Sequence, residues 1–215
     1  MNHINTQAIK AVIFDLDGVL VDTAKFHYQA WKQVAASKGM SFTEEDNEQL
    51  KGVSRVRSLD IILELNNTQL TQPEKDQMLL NKNEHYLDLI SSLDSTDVLP
   101  GVTELIAQIK ARKLKIALGS ASKNAKPILA STGLLEHFEY LVDGNMVSKA
   151  KPDPEVFLTA STLLATSAEH CLVIEDAEAG VEAALRANMQ VLAVGEPDVL
   201  GKATQVVKTL ESFKL

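Results

Sequence analysis

The chain opens its ordered pattern with four consecutive apolar residues, Ala11 to Phe14, broken at once by Asp15-Leu16-Asp17-Gly18. A short apolar run closed by a polar turn predicts a buried strand. From Thr23 to Leu93 the spacing turns helical and shows no convincing strand. One amphipathic stretch carries Phe26, Trp31 and Val34, and a second carries Ile61, Ile62 and Leu65. A third begins at Thr71, with Pro73 just inside it, and carries Met78, Leu79, Tyr86, Leu87 and Ile90. Proline close inside a helix start is a favoured arrangement.

After Pro100-Gly101 the rhythm alternates. The pattern predicts helix 101–112, strand 114–118, helix 124–132 ending at Gly133, strand 139–142, helix 154–165, strand 171–174, helix 177–188, strand 190–194 and a final short strand near Val206. Strands alternating with helices imply an α/β fold, a parallel sheet covered on both faces. The expected organisation is a Rossmann-like core built from 1–22 and 94–215, with a helical domain inserted at 23–93.

Composition narrows the picture. With 215 residues, 45% hydrophobic, the chain can bury a real core, and it contains no apolar run near the ~20 residues that span a bilayer. Cys171 stands alone and the amino terminus lacks the regions of a secretory signal, so a cytoplasmic location is expected. The 29 acidic residues against 21 basic ones leave a net charge of −8, which repels nucleic acid and anionic membrane. An anionic substrate must therefore be held by a local cluster of positive groups.

In a parallel sheet of this kind ligands sit beyond the carboxyl ends of the strands. Asp15 and Asp17 follow the first strand, Gly119-Ser120-Ala121-Ser122-Lys123-Asn124 the second and Glu175-Asp176 the fourth, while the third leads into Lys149-Ala150-Lys151-Pro152-Asp153-Pro154. Such a gathering of carboxylates is costly unless a divalent cation and an anion complete it, and Mg²⁺ with a phosphate fits that balance. Asp15 and Asp17, two residues apart, can address one phosphorus as nucleophile and acid/base. Asp15, Glu175 and Asp176 offer oxygen ligands for the metal, Ser120 a donor to a phosphoryl oxygen, and Lys151 a neutralising charge.

Asp15-Leu16-Asp17-Gly18-Val19, Ser120, Lys151-Pro152 and Glu175-Asp176 resemble, in order and spacing, the four motifs of the haloacid dehalogenase superfamily of phosphotransferases. The resemblance implies Asp15 as nucleophile, Asp17 as acid/base and as a Mg²⁺ ligand through its backbone carbonyl, and a helical cap inserted after the first strand. Asp22-Thr23 with His27 and Trp31, the segment Asn47-Glu48-Gln49-Leu50-Lys51-Gly52-Val53-Ser54-Arg55, and Ser120-Ala121-Ser122-Lys123-Asn124 further resemble the superfamily's β-phosphoglucomutase branch. Gly119 and Ala177 are mild departures, where Ala and Ser are common.

That second resemblance implies interconversion of β-glucose 1-phosphate and glucose 6-phosphate through an aspartyl phosphate and β-glucose 1,6-bisphosphate. It implies that Arg55, Ser122, Lys123 and Asn124 bind the non-reacting phosphate and that Gly52, Val53 and Ser54 line the sugar. Thr23, His27, Trp31, Lys51 and Lys82 complete the implied substrate-binding set. The expected partners are small-molecule sugar phosphates, and a monomer is expected.

Plainer readings stand beside these. Asp153 reads as a helix cap, Lys149 as solvated, Trp31 and Met78 as helix core, and Cys171 as an inert buried thiol. His27 is equally a packing residue or a hydrogen-bond partner near the acid/base. A hydrolytic member of the superfamily, acting on sugar phosphates or phosphoglycolate, would share every core motif. A non-catalytic phospho-acceptor module also places an Asp at a strand end, but the helical insert and Asp17 argue against it.

Overall fold

The computed structural model describes residues 3–215. Six strands form one sheet: β1 (Ala11–Phe14), β2 (Lys115–Gly119), β3 (Tyr140–Val142), β4 (Cys171–Glu175), β5 (Gln190–Val194) and β6 (Gln205–Val207), in the order β3-β2-β1-β4-β5-β6. Every pairing is parallel. Strand β1 lies at the centre, with Ile13 beside Ala117 of β2 and Val173 of β4.

All four β1 residues are fully buried because alternate side chains enter different cores. Val12 and Phe14 join one cluster with Val102, Leu105 and Ile109 of α5 (Val102–Ala111) and Ile128 of α6 (Ala125–Ser131). Ala11 and Ile13 join the other, with Phe157 and Ala160 of α7 (Glu155–Leu163), Val181 of α8 (Glu178–Arg186) and Leu200 of α9 (Pro197–Leu200).

Residues 24–90 carry four helices: α1 (Ala24–Ala36), α2 (Glu44–Glu48), α3 (Arg55–Leu65) and α4 (Gln72–Ile90). They enclose a core of their own around Trp31, Phe42, Leu59, Ile62 and Met78. The base of this unit is sealed onto the sheet, since Ala30, Tyr86, Ile90 and Leu93 belong to the cluster that contains Val12 and Phe14. At the start of α4 the Glu74 carboxylate accepts from the Thr71 N–H at 3.0 Å, a reciprocal-cap contact that fixes where the helix begins.

The structure departs from the sequence pattern in small ways. Helix α2 was not expected, because Glu44-Glu45-Asp46-Asn47-Glu48 has no apolar periodicity. It is held by a capping box, with Thr43 N–H donating to Asp46 Oδ2 at 2.8 Å and Asp46 N–H to Thr43 Oγ1 at 3.2 Å. Strands β2 and β4 each run one residue further than predicted, ending at Gly119 and Glu175. Helix α9 is a single turn, too short to leave a periodic signal. Among the described residues, no helix is long and apolar enough to cross a membrane.

Candidate active site

Strand order fixes where the site must be. The chain leaves β1 toward β2 and β3 on one side and returns to β4, β5 and β6 on the other, so the carboxyl ends of β1, β2 and β4 flank a crevice. The backbone carries the site residues directly off the strands. Asp15 N–H donates to Ile174 O at 2.9 Å, extending the ladder between β1 and β4, and Ser120 N–H donates to Val142 O at 2.9 Å, extending that between β2 and β3.

Asp15, Glu175 and Asp176 bring a carboxylate oxygen each within 4.8 Å of one another. Lys151, almost fully buried, places Nζ 2.6 Å from Asp15 Oδ1 and 2.7 Å from Glu175 Oε1, and 4.8 Å over the Phe157 ring. The second oxygen of Glu175 accepts the N–H groups of Asp176 at 2.8 Å and Ala177 at 2.9 Å. Two glycines make room. A Cβ on Gly180 would fall 1.7 Å from Glu175 Oε1, and one on Gly18 would fall 2.1 Å from Asp176 Oδ2.

One lysine does not balance three carboxylates. Burial, against the pull of Lys151 and with the push of Glu175 and Asp17, raises the Asp15 pKa to about 7. Burial and the charges of Glu175 and Asp15 hold Asp176 well above the usual carboxylate range, and among the described residues none donates a hydrogen bond to its carboxylate. Lys151 is pushed above its ordinary value because Asp15 and Glu175 together outweigh the cost of burial. A cluster of hard oxygen donors with uncompensated charge fits Mg²⁺.

Asp17 has different surroundings. Its Oδ1 accepts the Thr23 hydroxyl and lies 3.7 Å from His27 Nε2. Burial would raise its pKa, but His27, Thr23 and Lys82 outweigh burial and hold it below the ordinary value. Behind it, His27 Nδ1 meets Lys82 Nζ at 2.8 Å. The His27 ring stacks on Tyr86 at 4.2 Å, and Lys82 Nζ lies 4.3 Å over the Tyr86 ring and 5.3 Å over Trp31. Burial and the Arg55 charge lower the Lys82 pKa to about 7.

A cavity of about 530 Å³ joins these groups. Its walls include Asp15, Asp17, Ser120, Lys151 and Asp176 from the sheet edge, and Ser122, Lys123 and Asn124 from the loop after β2. His27, Trp31, Lys51, Gly52, Val53, Ser54, Arg55 and Lys82 line it from the helical insert. Arg55, Lys82 and Lys123 have no carboxylate partner among the described residues, whereas Lys51 pairs with Glu48 at 2.7 Å and Lys149 with Asp153 at 3.5 Å. Arg55 and Lys123, cations without a carboxylate partner facing a cavity in a protein of net charge −8, mark a place for an anion.

Thr23 and Glu175 do not reach the cavity wall. Thr23 is fully buried behind Asp17, so its hydroxyl acts on that carboxylate rather than on a ligand in the cavity. Glu175 is fully buried beneath Lys151. The N-cap of α7 is Pro154, and Asp153, one residue before it, accepts the N–H of Glu155, the first residue of the helix, at 3.0 Å; Cys171 is buried with its thiol pKa raised by burial to about 11. Trp31 both fills the core of the insert and faces the cavity. The sequence pattern places Tyr86 only on the apolar face of its helix and gives Asn83 no role, yet both stand beside site residues. Their signal was faint: Leu79, Lys82, Asn83 and Tyr86 share one face of α4, and the polar pair interrupts an otherwise apolar stripe.

A parallel sheet with this acidic centre at its carboxyl edge defines a class, and comparison with known proteins agrees with it. Residues 9–188 match the family model for haloacid dehalogenase-like hydrolases, and the chain belongs to that family. The chain is 42% identical over 209 residues to a β-phosphoglucomutase of Bacillus subtilis, an alignment covering 96% of this chain and 92% of the relative. It is 31% identical over 185 residues to a phosphorylated carbohydrates phosphatase of Thermotoga maritima, covering 85% and 83%. Among solved structures, a β-phosphoglucomutase from Clostridium difficile superposes with a TM-score of 0.93 at 41% identity, covering 96% of this chain and 94% of that one.

Proposed function

We infer that this protein is an isomerase that interconverts β-D-glucose 1-phosphate and glucose 6-phosphate, passing a phosphoryl group through Asp15 and β-glucose 1,6-bisphosphate. The observation that carries this reading is one cavity lined both by Asp15 and Asp176 of the carboxylate cluster and by two cations without a carboxylate partner, Arg55 and Lys123. A bisphosphate needs both: one phosphoryl group at Asp15 and the other neutralised elsewhere. The near-full-length likeness to two β-phosphoglucomutases supports the same substrate.

Asp15, Glu175 and Asp176 would hold Mg²⁺, with the Asp17 carbonyl assigned to it as well. Bound there, the ion offsets the charge of the phosphoryl oxygens and of the carboxylates around them. The remaining work falls to the chain. With Asp15 carrying the phosphoryl group, ionised Asp17 accepts the proton of the sugar 6-hydroxyl as that oxygen bonds to phosphorus and the bond to Asp15 breaks. The bisphosphate then presents its other phosphate. Asp15 attacks that phosphorus, the bond to the anomeric oxygen breaks, and Asp17 returns its proton to the leaving oxygen. Lys151 and Ser120 neutralise and bind the moving phosphoryl oxygens.

In this reading 23–93 is a cap over the core of 1–22 and 94–215. Gly52, Val53, Ser54 and Trp31 bound the sugar, and Arg55, Ser122, Lys123 and Asn124 hold the phosphate that is not reacting. Lys51, from the same cap loop, lies close enough for its charge to oppose in part the rise in the Asp176 pKa and would help balance the metal cluster. Thr23 and His27 serve by holding Asp17. Because water hydrolyses an aspartyl phosphate, the cap must exclude it.

The test is to incubate the protein with Mg²⁺, β-glucose 1-phosphate and a catalytic amount of β-glucose 1,6-bisphosphate, following glucose 6-phosphate and free phosphate together. Glucose 6-phosphate accumulates with little free phosphate. Release of phosphate as fast as isomerisation would overturn the reading in favour of a phosphatase like the Thermotoga maritima relative.

A further inference from the structure

Consecutive residues of α4 reach separate parts of the site. Lys82 meets His27, which faces Asp17, whereas Asn83 Oδ1 accepts a hydrogen bond from Asn124 Nδ2 at 3.0 Å. Among the described residues, this is the one hydrogen bond between α4 and the loops at the carboxyl edge of the sheet. Asparagine is a poor residue for a helix interior, and the Asn83 carboxamide makes no bond within its own helix.

The loop that receives Asn83 is ordered by short local bonds. Ser122 N–H donates to Ser120 Oγ at 3.1 Å, and Asn124 N–H donates to Ser122 Oγ at 3.3 Å. These fix the backbone but not the Asn124 carboxamide, which can turn either its amino group or its oxygen toward the cavity. An oxygen there repels a phosphate, and an amino group donates to it. In the structure Asn83 Oδ1 accepts one Nδ2 hydrogen, which holds the Asn124 carboxamide in place and leaves its second Nδ2 hydrogen free for a ligand.

We propose that Asn83 is a positioning residue for sugar-phosphate binding: it orients the Asn124 carboxamide beside Lys123, so that this contact to the non-reacting phosphate forms in register with α4. The proposal deepens the sugar-phosphate reading of the cavity and rests on it. It also places Asn83 beside Lys82 on one rigid helix, so the phosphate loop and the Asp17 side of the site share a common support.

A double-mutant cycle tests this, because a residue acting through another loses its effect when the other is gone. The dissociation constant of glucose 6-phosphate is measured by calorimetry, with Mg²⁺, for wild type, Asn83→Ala, Asn124→Ala and the double variant. Alanine favours the helix, so the fold is kept. Asn83→Ala weakens binding about three- to tenfold, the worth of one hydrogen bond. The double variant binds no worse than Asn124→Ala alone. Phosphorylation of Asp15 by acetyl phosphate, which has no second phosphate to place, keeps its rate in Asn83→Ala, whereas general damage to the site would slow it.

An unchanged dissociation constant in Asn83→Ala, or a penalty that persists in the Asn124→Ala background, overturns the proposal. Wild type that binds glucose 6-phosphate without isomerising β-glucose 1-phosphate overturns the mutase reading alone. Wild type that does not bind glucose 6-phosphate overturns both.

Discussion

Lys151 and Asp15 form a buried ion pair at 2.6 Å, and the same ammonium lies 2.7 Å from Glu175, so one cation ties the carboxylate that follows β1 to the carboxylate at the end of β4. Removing one partner of a buried pair leaves the others uncompensated, at a cost of about 3–5 kcal/mol. Lys151→Ala therefore loses most of its turnover and unfolds at markedly lower denaturant. A variant with near-native activity and unfolding midpoint would move the role to Lys149.

Metal binding follows pH with a definite sign. Without metal the folded Asp15 pKa, about 7, lies above its ordinary 3.8, so between these values the folded chain holds more protons than the unfolded one. The contribution of Asp15 to stability is thus present at low pH and falls as pH rises through about 7. A cation must displace the protons that burial keeps on Asp15 and Asp176, so the apparent Mg²⁺ affinity rises as pH rises from the acid side toward neutrality. Calorimetric titration from pH 5.5 to 8.5 checks this, and a flat profile would contradict it.

Gly180 is set by the space Glu175 needs rather than by its own backbone. Since a Cβ there would fall 1.7 Å from Glu175 Oε1, Gly180→Ala displaces the carboxylate from Lys151 and from the metal cluster. The expected result is an activation curve needing roughly tenfold or more Mg²⁺, the usual consequence of disturbing the support of a metal ligand. Activity against metal concentration measures it.

Lys82 is costly to the fold. Its folded pKa, lowered to about 7 from an ordinary 10.5, means that the unfolded chain holds more protons between these values. Its contribution makes stability rise with pH across that window, and below about 7 its burial cost is fully present. Lys82→Met removes the charge, flattens that dependence and raises the melting midpoint at pH 7 by about 2–4 °C per kcal/mol recovered. Binding of glucose 6-phosphate weakens in the same variant. Thermal melts across pH 6–10 check the first effect and calorimetry the second.

These residues also show what a sequence can disclose. Asp15, Asp17, Ser120 and Asp176 line one cavity as the sequence suggests because each comes just after a strand in a sheet whose topology gathers strand ends, and Lys151 joins them from the longer loop after β3. Helix α2 was not, since a capping box on a polar segment holds it without any apolar stripe. Thr23 fits a substrate-binding set on paper, yet its place behind Asp17 depends on how the chain turns after β1. Asn83 is one of two asparagines on α4, with nothing in the sequence to set it apart from Asn81, and only the approach of Asn124, 41 residues on, gives it a partner.

The most direct test of the whole account is the fate of a phosphoryl group on Asp15. Protein mixed with Mg²⁺ and labelled β-glucose 1,6-bisphosphate is mapped for the label, then chased with β-glucose 1-phosphate. The account predicts label on Asp15, none in Asp15→Asn, and transfer to sugar phosphate faster than loss to water. Label on another residue, or free phosphate appearing at the same rate with and without the sugar chase, would contradict it.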